Sequence, residues 1–350
     1  MKINNFKKQI LLLLLCSCIN GYSVKKENTN VPAPFYYDPV YNGSRDPEII
    51  YNPVAKEYWI YYTSSRPVLN IGNFVGTPIG IAGSKDLINW RLIGYCSFNG
   101  LGGKPDAKHT YWAPGIFIEG DTANMFITYK EDTIGPWGGD SRLDHYKAPV
   151  SDMQKGWKYF KTVTKEPQAI DASVSKSGNI YNLWYRNCIS DPCGIYYATS
   201  TNLVDWQFKG KAEGDINKKE ITKISYQEGP YVFYWKNFFW MVTDPGDGLA
   251  VYRSSEERIW KYCGKILASQ EKTNARPFDY SNGKHASVKV INDRAFIFYH
   301  VEPFAKEIQQ PFPGNKFTCY LQMAELLLDG DKLKCDRNKA IKLPRLRSKR

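Results

Sequence analysis

The chain has 350 residues, 43% of them hydrophobic, which is ample for a buried core. Aromatic residues make up 15%, with 25 Tyr and 10 Trp, a composition that suits strands and sugar-stacking surfaces better than helical bundles. The formal charge is +12, but no zinc-finger, helix-turn-helix or glycine-rich phosphate motif accompanies it, so no nucleic-acid partner is expected.

Residues 1–22 read as a secretory signal, with basic Lys2, Lys7 and Lys8 ahead of an apolar run from Ile10 to Cys16 that is too short to span a bilayer. "LCSC" at 15–18 resembles a bacterial lipoprotein cleavage site. Lipidation of Cys18 and ordinary cleavage a few residues later are the two readings. The expected product is exported: periplasmic, surface-anchored or secreted. Membrane contact is expected only through a lipid at Cys18. Residues 23–34 read as a polar tether, 35–343 as one folded domain and 344–350 as a basic tail. The tail charges, including Arg345, Arg347, Lys349 and Arg350, are read as solvated, with contact to an anionic surface or polysaccharide as the alternative. An exported protein is free to pair its cysteines. Cys188 and Cys193, in "CISDPC", flank an expected hairpin tip and suit a local disulfide; the sequence does not pair Cys96, Cys263, Cys319 and Cys335.

A phrase recurs five times: "RDPEIIYNPVAKEYWIYYTS" from 45, "WAPGIFIEGDTANMFITYKE" from 112, "IDASVSKSGNIYNLWYRN" from 170, "QEGPYVFYWKNFFWMVTDP" from 227 and "KHASVKVINDRAFIFYH" from 284. Each opens on a polar or aromatic group, then runs strand, polar turn, aromatic-rich strand. A second strand pair follows, marked in the first four units by Trp90, Trp157, Trp206 and Trp260. These tryptophans are expected to pack each outer strand pair onto its neighbour. The openings fall at Asp46, Trp112, Asp171, Glu228 and His285, roughly 60 residues apart. Four short strands per unit and five units predict an all-β chain, a five-bladed β-propeller around a central axis. The first strand of each unit lines that axis, so the openings meet in space. Three carboxylates gathered there repel one another unless they are paired or serve a purpose. Glycoside hydrolysis needs one acid to protonate the leaving oxygen and a second carboxylate to activate water or attack directly.

These openings resemble those of the family 43 glycoside hydrolases and related propeller glycosidases. The resemblance covers the chain after the signal and implies an inverting single displacement. It implies that Asp46 is the general base, Glu228 the general acid and Asp171 the group that raises the acid's pKa. It implies that His285 lies near an axial calcium ion or water, with no cofactor required for the chemistry. It covers arabinofuranosides, xylosides and galactosides alike, so the expected partner is a plant or algal oligo- or polysaccharide of undetermined sugar, bound by a monomer. Arg45 departs from the family, whose first motif often carries a His shortly before the Asp. Arg45, Tyr111, Trp112, Arg186, Asp244, Arg276 and His285 are the substrate-contact candidates, with pairing to a neighbouring acid as the alternative for Arg45 and a salt bridge or turn for Arg186, Asp244 and Arg276. The competing functions are a carbohydrate-binding propeller without turnover and a protein-interaction propeller.

Overall fold

The computed structural model describes residues 30–41, 43–64, 76–99, 109–130, 141–166, 168–189, 193–218, 227–303 and 319–343. The expected signal, Cys18 and the basic tail lie outside the described residues.

The recurring phrase forms the blades. The first blade is β1 (Ser44–Asn52), β2 (Glu57–Ser64), β3 (Ile79–Ser84) and β4 (Arg91–Tyr95), paired antiparallel in that order. The second is β5 (Thr110–Glu119), β6 (Thr122–Lys130), β7 (Ser141–Pro149) and β8 (Lys158–Thr164), and the third β9 (Ile170–Ser177), β10 (Ile180–Asn187), β11 (Gly194–Ser200) and β12 (Gln207–Lys211). A two-residue strand, β13 (Glu213–Gly214), adds a fifth, parallel member to the outer edge of the fourth blade, which is otherwise β14 (Glu228–Trp235), β15 (Phe238–Asp244), β16 (Leu249–Ser254) and β17 (Ile259–Ile266). The fifth is β18 (Lys284–Ile291), β19 (Arg294–Val301), β20 (Tyr320–Asp329) and β21 (Lys332–Cys335). The five-bladed expectation holds, and the innermost strands β1, β5, β9, β14 and β18 contact one another around the axis.

The ring closes through the N-terminal segment. Val31 N–H donates to Ile341 O at 3.1 Å, Phe35 N–H to Leu321 O at 3.1 Å, and Leu321 N–H to Tyr36 O at 2.9 Å. Residues 30–34, expected to be tether, therefore lie against the end of the fifth blade. Phe35 packs on Phe298 of that blade and on Trp90 of the first, at 5.8 and 5.3 Å between ring centroids.

The repeated tryptophans do as expected. Trp157 of the second blade meets Tyr61 of the first, Trp206 of the third meets Phe126 of the second, and Trp260 of the fourth meets Trp184 of the third. Each large ring thus buries apolar area between neighbouring blades, where such burial contributes roughly 1.5–3 kcal/mol per side chain. A close backbone approach serves the same seam. A Cβ at Gly115 on β5 would lie 2.0 Å from the Ala172 carbonyl on β9, so only glycine lets these inner strands lie so near.

Cys188 and Cys193 form a disulfide across the β10–β11 turn, just beyond Arg186. Cys96, Cys263 and Cys319 are buried and Cys335 partly buried, all four outside this disulfide.

Candidate active site

Every innermost strand carries the same irregularity near its start. The antiparallel register slips between Arg45 and Glu48 in β1, between Trp112 and Gly115 in β5, opposite Trp184 and Arg186 in β9, between Glu228 and Tyr231 in β14 and between Lys284 and Ala286 in β18. At each slip one residue takes a left-handed backbone: Asp46 at φ 48°, Ala113 at 45°, Asp171 at 60°, Gly229 at 57° and His285 at 27°. A bulge of this kind breaks the strict in–out alternation of a strand and re-aims its side chains. Four of the five are not glycine, and non-glycine residues held there cost about 1–3 kcal/mol each, strain typical of functional sites.

The bulges correct the alignment of the repeats. Asp46, Asp171 and His285 occupy one slot, but Glu228 and Trp112 do not share it; they stand one residue earlier, with Arg45, Ile170 and Lys284. The residues opposite that earlier slot, across the first strand pair, are Thr63, Thr128, Arg186, Asp244 and His300.

Side chains from these slots line a cavity of about 180 Å³ at this end of the axis: Arg45, Asp46, Thr63, Trp112, Ile170, Asp171, Glu228, Asp244, Lys284, His285, His300 and Glu302. The three expected carboxylates therefore converge. So do Arg45, Trp112, Asp244 and His285. A second cavity, of about 420 Å³, opens at the other end of the innermost strands, around Glu48, Phe117, Lys176, Tyr234 and Lys289. None of the expected catalytic residues reaches it.

The electrostatics divide the axial cavity. On its fourth-blade side, burial lifts the Glu228 carboxyl well above the usual carboxylate range, and the nearby Asp171 and Asp244 charges lift it further. Burial also raises Asp171, against the pull of His285 and with reinforcement from Asp46. Asp244 is pushed up to about 6 by burial, opposed by Lys284 and by the backbone N–H groups of Gly246 and His285. Asp171 Oδ2 accepts the Gly229 N–H at 3.1 Å, tying it to the residue after Glu228. Glycine suits position 229 on two counts: its left-handed φ carries no strain there, and a Cβ would crowd the His285 ring at 3.0 Å.

The fifth- and first-blade side holds the cations. Lys284 Nζ lies 2.7 Å from Glu302 Oε2, and Arg45 Nε lies 3.4 Å from Glu302 Oε1 and 2.9 Å from Cys319 Sγ. Burial alone would raise Glu302, but Arg45, Lys284 and His300 outweigh it and hold it down to about 2. Of the two roles open to Arg45 in the sequence, pairing with a neighbouring acid is the one its contacts show. His285 Nδ1 stands between the sides, 3.5 Å from Asp46 Oδ1 and 3.9 Å from Asp171 Oδ2.

Two expected substrate contacts are corrected. Tyr111 is buried between the first two blades, stacked on Phe98 at 4.2 Å, because strand alternation turns it away from the face that Trp112 shows the axis. Arg276 is spent on structure: it pairs with Asp279 at 2.8 Å and donates to Tyr299 Oη and Met323 O, while Arg337 takes the other Asp279 oxygen. Arg186 does not line the cavity, yet its charge opposes the pKa rise of both Asp171 and Glu228. Its Nε is buried with no hydrogen-bond partner among the described residues. Thr63, His300 and Glu302 are cavity residues that reading the strand openings missed, and the end of the second strand in the first and fifth repeats ("YYT" and "FYHVE") was the available signal; Lys284 stands in an opening, one residue before His285.

Calcium prefers six to eight oxygen ligands. Among the described residues no three His, Cys, Asp or Glu side chains converge to hold a metal ion. His285, the residue expected near an axial calcium ion or water, offers a nitrogen where calcium prefers oxygen.

The architecture has counterparts among solved structures. A thermostable family-43 glycoside hydrolase superposes with a TM-score of 0.60 at 17% identity, over 88% of this chain and 97% of its own. A GH43_1 enzyme from Xanthomonas citri, solved with xylose bound, gives 0.60 at 13%, over 84% and 90%. The family-32 beta-fructofuranosidase of Bombyx mori gives 0.59 at 12%, over 87% and 66%. The chain has the fold of these glycosidase propellers. At such identities the likeness is one of fold. No protein-family model matches the chain. No curated protein matches it either.

Proposed function

We propose that this protein is a glycoside hydrolase that cleaves a saccharide by single displacement with inversion. One observation carries the proposal: Asp46, Asp171 and Glu228, from three blades, converge on one cavity, where burial and two neighbouring acids push the Glu228 carboxyl well above the usual carboxylate range. The sugar to be cleaved sits in this cavity against the Trp112 ring. Glu228 donates its proton to the glycosidic oxygen as the bond to the anomeric carbon lengthens. Asp46 takes a proton from a water on the opposite face of the ring, and that water's oxygen bonds to the anomeric carbon. Asp171 remains bound to the Gly229 N–H and holds its charge near Glu228. After the step Glu228 is ionised and Asp46 protonated, and exchange with solvent resets both.

The substrate class we infer is plant or algal oligo- or polysaccharide, in line with the xylose-bound Xanthomonas citri neighbour. Export fits a substrate too large to enter a cell, and the signal-like residues 1–22 motivate it. The test is a panel of aryl glycosides and natural oligosaccharides, arabinosides, xylosides and galactosides included, with Asp46→Asn as the control. Hydrolysis of at least one member by the wild type and not by the variant is expected. Saccharide binding without turnover would replace this reading with a carbohydrate-binding propeller.

A further inference from the structure

Each bulge takes one backbone N–H out of its strand ladder, and a buried N–H without an acceptor costs free energy. The side chains opposite the bulges supply acceptors across the blade seams. Thr63 Oγ1 accepts from Ala113 N–H at 2.9 Å and Thr128 Oγ1 from Asp171 N–H at 3.0 Å. Asp244 Oδ2 accepts from His285 N–H at 3.2 Å, and His300 Nδ1 from Asp46 N–H at 3.2 Å. Each acceptor belongs to the blade before the bulge it holds. At the remaining seam the equivalent residue is Arg186, which has no acceptor, and Asp171 serves Gly229 instead. The five contacts form a ring that fixes every bulge to its neighbour.

At the seam that closes the ring, the acceptor is an imidazole and the residue held is Asp46. We propose that His300 is the positioning residue for Asp46, a proposal that rests on the reading of Asp46 as general base. To accept the Asp46 N–H, Nδ1 must carry its lone pair, which leaves the ring proton on Nε2, 3.8 Å from Glu302 Oε1. Glu302 is itself gripped by Lys284 and Arg45. The Glu302 carboxylate, held by Lys284 and Arg45, thus stands as a negative charge on the Nε2–H side of the ring. The ring in turn fixes the backbone of Asp46 and stands 3.7 Å from its Oδ1. Burial lowers the His300 pKa to about 4, which agrees with a neutral acceptor.

The pseudo-symmetry supplies the test. Threonine does this work at two other seams, so His300→Thr restores an acceptor that His300→Ala removes. On a glycoside that the wild type hydrolyses and Asp46→Asn does not, His300→Ala is expected to lower kcat roughly 10–10²-fold, the effect of a small misplacement of a reacting group, with a much smaller change in KM. His300→Thr is expected to recover most of that loss. Thermal unfolding of both variants separates positioning from packing. Unchanged kcat in His300→Ala, or a Thr variant no better than the Ala variant while both remain folded, would overturn the proposal. A measurement that needs no turnover distinguishes its failure from that of the enzymatic reading: nitrogen NMR of the wild-type imidazole should show Nδ1 unprotonated, and a proton on Nδ1 would sink the proposal whatever the chain hydrolyses.

Discussion

Asp46→Asn and Glu228→Gln should each lower kcat by roughly 10²–10⁴-fold, the range for loss of a positioned acid or base. The two losses should differ in kind. An aryl glycoside with a good leaving group needs little proton donation, so Glu228→Gln should be partly excused on it and Asp46→Asn should not. Asparagine keeps the backbone N–H that His300 accepts, and glutamine keeps the volume of Glu228, so both variants are expected to fold. Steady-state kinetics on two aryl glycosides of different leaving-group acidity, beside circular dichroism, check both statements. Equal sensitivity of the two variants to the leaving group would remove Glu228 from the acid's role.

Asp171→Asn should move the alkaline limb of the kcat/KM profile to lower pH. The sign follows from the charges. As the proposed general acid, Glu228 acts while it holds its proton, and burial, Asp171 and Asp244, in that order, hold its pKa up. Removing the Asp171 charge lowers that pKa, so the proton is lost at a lower pH and activity falls earlier as pH rises. A displacement of about one pH unit or more is the expected scale for a close like-charge neighbour. Asp244→Asn should act in the same direction and by less. The side-chain amide that replaces the Asp171 carboxylate keeps an oxygen to accept the Gly229 N–H, so the geometry of the seam is retained. A limb that stays in place or moves to higher pH contradicts the role given to Asp171.

The architecture was legible because each blade repeats its own turn chemistry and alternation, and a repeat needs no knowledge of long-range contacts. The three carboxylates were legible for the same reason: equivalent positions of a closed ring meet at its axis. What sequence alignment by residue type blurred was the slot itself. Asp46 and Glu228 look alike as acids, but the slot is defined by a left-handed backbone, and in the fourth blade Gly229 holds it. The pair therefore stands on successive positions of the bulge, which differentiates two carboxylates that a uniform repeat would make identical. Tyr111 was misplaced by its adjacency to Trp112, although neighbours on a strand face opposite ways. For Arg276 the alternative is what forms: a salt bridge to Asp279, three residues on and fully buried. His300 and Glu302 were missed because their work is across the seam between the last blade and the first, some 250 residues from Asp46 in sequence.

Under the proposed mechanism Asp46 and Glu228 act from opposite faces of one sugar ring, with a water between Asp46 and the anomeric carbon. Such a pair inverts, whereas a carboxylate close enough to attack directly retains. Proton NMR of the first-formed sugar, recorded on the wild type before mutarotation, reads this outcome. Inversion gives the anomer opposite to that of the substrate; the same anomer would rule it out.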